Sequence, residues 1–369
     1  MATDLLLNNL PTNNYELADN NEAQPHTLPG HYSPGVKLLS FVAIIYAIIA
    51  FLNEALYQWR PGQINTFSFL QLTCCEPGPD GAMPFWLSHW TEYFIIVLFG
   101  SWRTLAEKDS YTRKRLGFLT ASVGLLWWLV PAYLKIPEPY FGNLPKAPTF
   151  PSLHTPGTLT FFLVLVLVLL FGRRVICGWC CPCVGIRETV AFPFRINTLR
   201  TPNSRKYFRH GKWLFFALYL VSIALIIGYS NRVSVVYKGF LALITVPYFL
   251  SLLLSPWLGN RSYCRFICPY GATFGLLNRF GFFDIRLDRE KCSACGLCQK
   301  VCDMGIPVAS QGRASGRITM IEECMGCGRC VVSCPDNALE IRDVRNFLRP
   351  GLRQDGQHLS RKNRRDQKG

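Results

Sequence analysis

Eight of the sixteen cysteines fall in two runs of identical spacing. Residues 292–302 read C-x2-C-x2-C-x3-C through Cys292, Cys295, Cys298 and Cys302. Residues 324–334 repeat the pattern through Cys324, Cys327, Cys330 and Cys334, followed by Pro335. Three thiols set two residues apart wrap three corners of an iron–sulfur cubane, and the fourth ligand must come from elsewhere. In the bacterial two-cluster spacing the fourth cysteine of each run ligates the other run's cluster. The first cluster then takes Cys292, Cys295, Cys298 and Cys334, and the second takes Cys324, Cys327, Cys330 and Cys302. Zinc prefers two C-x2-C pairs to a triplet with a distant fourth. Gly296, Gly326 and Gly328 leave the backbone free to turn tightly, with its amides near the sulfurs.

A second constellation precedes these runs. "GRRVICGWCCP" at 172–182 and "GNRSYCRFICP" at 259–269 share the pattern G-x-R-x2-C-x3-C-P, offset by 87 residues. The shared thiols are Cys177, Cys181, Cys264 and Cys268, the number that a cluster or a tetrahedral metal takes. Each proline suits the first position of a short helix whose amide end favours thiolate or a negative cluster. Arg174 and Arg261 are expected to lower the thiol pKa values. Three readings stay open for this motif: a bound redox metal centre, a thiol–disulfide pair, or structural cysteines capping short helices. Cys180 and Cys183 have no counterparts in the second copy and read as spare ligands, a resolving thiol or small buried residues. Cys74 and Cys75 are neighbours, and a disulfide between them would be strained. A trans peptide fixes their Cα atoms at about 3.8 Å, below the usual disulfide range of about 4.4–6.8 Å.

The elements that position these thiols are apolar. Half of the 369 residues are hydrophobic and the formal charge is +16. Six uncharged or nearly uncharged stretches match the length of a membrane-spanning helix: 36–53, 85–103, 115–134, 155–172, 212–230 and 238–257. Lys and Arg crowd the second and fourth connections, while 54–84, 135–154 and 231–237 hold few. The positive-inside rule then places both termini in the cytoplasm. The polar stretch 1–35 lacks the basic start of a signal peptide and reads as a disordered tail. The basic tail 346–369 reads as solvated or facing anionic lipid, with no nucleic-acid role. His89, Glu92 and Tyr93 share one face of the second span near its outer end. A quinone contact through His89 and Glu92 and a plain interhelical hydrogen-bonded pair are both open there. The hydrocarbon core is about 30 Å thick, so a quinol at that end is expected to lie across the bilayer from the clusters.

On the two ferredoxin runs and the paired C-x3-C-P motifs, the chain resembles the polyferredoxin membrane proteins of the NapH, MauN, NosR and CcoG type over roughly residues 155–340. The resemblance implies membrane electron transfer, often quinol-linked, feeding a reductase or the maturation of a metalloenzyme. Cys74, Cys75, Cys180 and Cys183 lie outside the shared pattern. The tail before the first span is too short for the FMN-binding segment of the NosR branch, and no long C-terminal β-domain of the CcoG branch is expected.

The expected fold is mainly α. A six-helix integral membrane domain (36–283) precedes a small α+β two-cluster bacterial ferredoxin domain (284–345), in a multi-pass protein of the bacterial inner membrane. The expected function is electron transfer between two cytoplasmic [4Fe–4S] clusters, a further iron–sulfur or metal centre at the membrane edge, and quinone or a protein redox partner. Whether such a component counts as a subunit of a quinol-linked oxidoreductase stays open. The alternative is a maturation factor that reduces or handles a metal ion such as copper for another metalloenzyme.

Overall fold

The structure, a computed structural model, describes residues 32–59, 86, 88, 90–130, 156–228, 243 and 245–348. It is mostly helical. Helices α1 (Pro34–Trp59), α2 (Trp90–Ala106), α3 (Ser110–Ser122), α4 (Pro156–Phe171), α5 (Pro182–Thr189), α6 (Pro202–Gly228) and α7 (Pro269–Phe280) form the larger part. Helix α3 continues as π-helix over Val123–Leu129, and 245–253 is also helical. Where described, the six expected apolar stretches are mostly helical, with breaks at Ser88, Gly172 and Leu254. Among the described residues one helix, Pro34–Asn53, is long and apolar enough to cross a membrane, and Phe162–Phe171 is a shorter apolar helix. Cys74, Cys75, His89 and both terminal tails, apart from 32–35 and 346–348, lie outside the described residues.

Helix α3 begins where Asp109 caps it, its carboxylate accepting from the Thr112 amide at 2.6 Å. Helix α2 packs against both α3 and α5. Gly185 makes the close approach of α5 possible. A Cβ there would stand 3.1 Å from Ile96 and 3.3 Å from Val123. The two C-x3-C-P copies fold alike. Gly172 and Gly259 both take positive φ, 84° and 81°. The Cys181 amide donates to the Ile176 carbonyl at 2.9 Å, and at the matching place Cys268 donates to Tyr263 at 3.0 Å. Cys181 and Cys268 then occupy the N-caps of α5 and α7, with Pro182 and Pro269 in the first turn. The copies differ in one turn: Arg174–Gly178 is π-helical, whereas Ser262–Phe266 is α-helical.

Helix α7 leads directly into strand β1 (Asp284–Leu287), which pairs antiparallel with β2 (Leu339–Arg342) in the register Asp284↔Arg342 to Leu287↔Leu339. The two cysteine runs and helix α8 (Val308–Ser315) lie between these strands. The runs repeat each other in backbone conformation. Ala294 and Gly326, Gly296 and Gly328, and Asn337 and Gly305 all have positive φ at equivalent steps. The short helices Leu297–Lys300 and Arg329–Val332 follow at matching positions.

Candidate iron–sulfur sites and the buried charges between them

The left-handed turns bring thiols from both runs together in crossed sets. The charges that act on Cys298 come from Cys334, Cys295 and Cys292. Those acting on Cys330 come first from Cys327, Cys324 and Cys302. The thiols expected for each cubane are thus neighbours, with the fourth thiol of each set coming from the other run. Among the described residues no three of His, Cys, Asp and Glu close on one point as a single metal ion requires. A cubane asks for less, because each thiolate binds its own iron. The backbone also suits a cluster: Gly326 donates to Cys324 Sγ at 3.4 Å and Ala338 to Cys334 Sγ at 3.3 Å. Burial pushes the Cys324 and Cys298 thiols up to about 12 and Cys302 up to about 11. Metal ligation is the ordinary way to keep such buried sulfur deprotonated. Cys295 is exposed, whereas Cys324 and Cys330 are buried. Cys298 is as buried as these, so the first set reaches the surface through Cys295.

The C-x3-C-P thiols form a third group. Cys177 feels Cys181 and Cys264, Cys268 feels Cys264 and Cys177, and Cys183 feels Cys181 and Cys268. Cys183 therefore joins the four thiols of the repeat. Cys180 is turned toward Ser122, and its carbonyl accepts from the Trp127 indole at 2.9 Å. Burial pushes the Cys177 thiol up to about 11 against the pull of Arg173, and burial also raises Cys268. Cys181 is held down to about 7, chiefly by a hydrogen bond from Cys183. The expected lowering by Arg174 and Arg261 is thus corrected: burial outweighs the arginines at two of these thiols. Arg261 does lie by Cys264 and Cys181, but Arg174 turns away to pair with Asp343 beyond β2. Arg173, one residue earlier, takes its place and donates from Nε to Cys177 Sγ at 3.3 Å. The copies differ here in helix type, π-helical against α-helical, and the matching arginines take different partners, Asp343 and Glu188.

The segments that carry the third group pack against the second ferredoxin run. Gly326 allows the run to lie on Arg174, where a Cβ would stand 2.6 Å from the arginine's own Cβ. Gly275 of α7 lets the Glu322 carbonyl approach, and Gly328 lies against Tyr111. Asn278 of α7 donates to the carbonyls of Ile321 and Cys324, both at 3.1 Å.

Sequence reasoning did not single out Glu188, which is 0 % exposed. It pairs with Arg103 of α2, Arg115 of α3, Arg261 of the second copy and Arg329 from the second cysteine run. Arg329 also pairs with Asp303, which pairs with Arg195. Burial alone would raise the Glu188 carboxyl, but the guanidinium groups of Arg329, Arg115, Arg261 and Arg103 hold it well below its usual range. A signal existed: Glu188 is the sole acidic residue between Glu138 and Asp284.

Glu92 is buried in the first turn of α2 and accepts from the Tyr248 hydroxyl at 2.6 Å. Its charge, after the bond to Cys181, burial and the Cys181 charge, helps raise the Cys183 thiol. Helix α5 runs alongside α2, with Cys183 by Glu92, Gly185 by Ile96 and Glu188 by Arg103. Cys183, in the first turn of α5, is thereby brought near Glu92.

The comparisons agree with this geometry. The family described as "4Fe-4S dicluster domain" matches residues 291–339, and that described as "4Fe-4S binding domain" matches 154–198 and 240–288, one segment for each C-x3-C-P copy. The ferredoxin-type protein NapH of Escherichia coli is 30 % identical over 206 residues, covering 51 % of this chain and 69 % of NapH. NapH of Haemophilus influenzae is 25 % identical over 218 residues, 55 % of this chain and 75 % of that protein. The methylamine utilization ferredoxin-type protein MauN of Methylorubrum extorquens is 28 % identical over 196 residues, 47 % of this chain and 66 % of MauN. No solved structure matches the chain. The crossed cysteine runs, the paired motif and these relatives together make the chain a member of the polyferredoxin-type family of ferredoxin-type electron-transport proteins.

Proposed function

We propose that the chain is a multi-pass inner-membrane relay, with both termini cytoplasmic, between a redox protein partner and quinone. Cys292, Cys295, Cys298 and Cys334 would hold one [4Fe–4S] cluster. Cys324, Cys327, Cys330 and Cys302 would hold the second. Cys177, Cys181, Cys264 and Cys268 would hold a third centre, with Cys183 beside it. Each would supply a one-electron couple. The observation that carries the reading is the contact order: outward set, second set, C-x3-C-P thiols, Glu92. Exposed Cys295 marks the end that a protein partner reaches. The Glu92–Tyr248 pair marks the end for quinone, with the carboxylate as proton acceptor.

Buried charge supports anionic centres. Among the described residues ten buried cationic side chains face six buried carboxylates. An uncompensated excess of that kind is very costly in an interior. Cubanes with four thiolate ligands, at about −2 each when oxidised, would offset it. The alternative, a maturation factor delivering a metal ion such as copper, draws on Cys180 and Cys183, but the wide thiol spacing favours the relay. The membrane reading rests on exposed apolar side chains along several helices, such as Leu98, Phe118, Leu163, Val221 and Leu250. Such a surface is unusual in water.

Quinol-driven reduction of the ferredoxin clusters in vesicles tests the reading. Wild type should reduce on adding quinol. Glu92→Gln should slow that step about a hundredfold, as loss of a general base does, while dithionite still reduces the clusters. Wild-type clusters that respond to dithionite but never to quinol would rule quinone out.

A further inference from the structure

We infer that Arg173 is the residue that couples the C-x3-C-P centre to the second ferredoxin cluster, an inference that rests on the relay reading above. The Arg173 side chain is 1 % exposed and spans the gap between the two thiol groups. Nε donates to Cys177 Sγ at 3.3 Å, and Nη1 reaches the Glu322 carbonyl, two residues before Cys324, at 3.4 Å. The guanidinium acts on Cys177, Cys264 and Cys268 on one side and on Cys324 on the other. Its backbone is tied to the same seam: the Arg173 amide donates to Asn278 Oδ1 at 2.8 Å, and the other arm of Asn278 holds the Ile321 and Cys324 carbonyls. Gly271 completes the fit, since a Cβ there would stand 2.8 Å from Arg173 Nη2.

Two consequences follow from this placement. A continuous hydrogen-bonded bridge runs from Cys177 sulfur through one guanidinium to the backbone of the second run, which shortens the through-space part of electron transfer. A fixed positive charge between two centres also favours the reduced, more negative form of both, so it raises both potentials. Arg173 thus donates to a C-x3-C-P sulfur and also bonds the backbone just ahead of the second run. The corresponding position of the second copy is Asn260, which instead pairs with Arg187. The bridge is therefore asymmetric between the two copies.

Full-length protein, purified without oxygen, tests this with two variants. Arg173→Lys keeps the charge and loses the fork. Arg173→Met keeps the length and loses both. Iron and sulfide content should match wild type in each. Freeze-quench EPR after reduction from the ferredoxin side should show transfer to the C-x3-C-P centre slowed at least tenfold in both variants. Midpoint potentials of both centres should fall in Arg173→Met and stay near wild type in Arg173→Lys. Full iron content with wild-type transfer rates and potentials in Arg173→Met would overturn the bridge alone. A wild-type iron content of two clusters only would overturn the relay reading and the bridge with it. Loss of iron in both variants would assign Arg173 to site assembly and overturn the coupling role.

Discussion

Glu188 carries more of the molecule's organisation than any single cysteine. It holds four arginines from four separate segments, one of them Arg329 beside Cys330. Removing one partner of a buried ion pair costs about 3–5 kcal/mol, because the other charges stay buried. Glu188→Gln should therefore lower thermal stability by that order, and Glu188→Asp by less, as read by thermal unfolding of anaerobic protein. The pH dependence follows from the lowered carboxyl pKa. The stabilisation is complete above the ordinary carboxyl value near about 4.3 and is lost as pH falls through the lower folded value. The gap between wild type and Glu188→Gln should then narrow in acid; a gap that widens there contradicts the pairing. That the candidate ligand cysteines would gather in groups was legible in the sequence, because iron–sulfur spacing is local. Glu188 and Arg173 were not, because most of their partners come from distant segments.

At the scale of elements, the repeat was legible as an 87-residue offset, and both copies do place a cysteine at a helix N-cap. The return of α5 along α2 was not legible, since it depends on the missing Cβ of Gly185 rather than on hydropathy. Glycine is required where the second copy turns. Gly259 has φ 81° and ψ 162°, a region open essentially to glycine alone, and a Cβ would stand 2.7 Å from the Thr198 backbone. Gly259→Ala should cost about 1–3 kcal/mol from conformation before any overlap is relieved. Gly316 has a similar φ of 72° but open space around it, so Gly316→Ala should pay only the left-handed penalty of about 1–2 kcal/mol. Thermal unfolding of the two variants compares them; equal losses would contradict the tight seam at Gly259.

For the whole molecule, the proposed relay is a row of thiol groups running from an exposed end at Cys295 to a buried end beside Glu92. Ionic contacts such as Arg174–Asp343, Lys212–Glu323 and Arg329–Glu188 hold the cluster-binding part on the helices. The most direct measurement is an iron and acid-labile sulfide count on anaerobic full-length protein, alongside Cys177→Ser and Cys268→Ser. The third centre predicts more iron than the roughly eight atoms of two four-iron clusters, with only the excess lost in each variant. A wild-type count of about eight that neither substitution changes would contradict it.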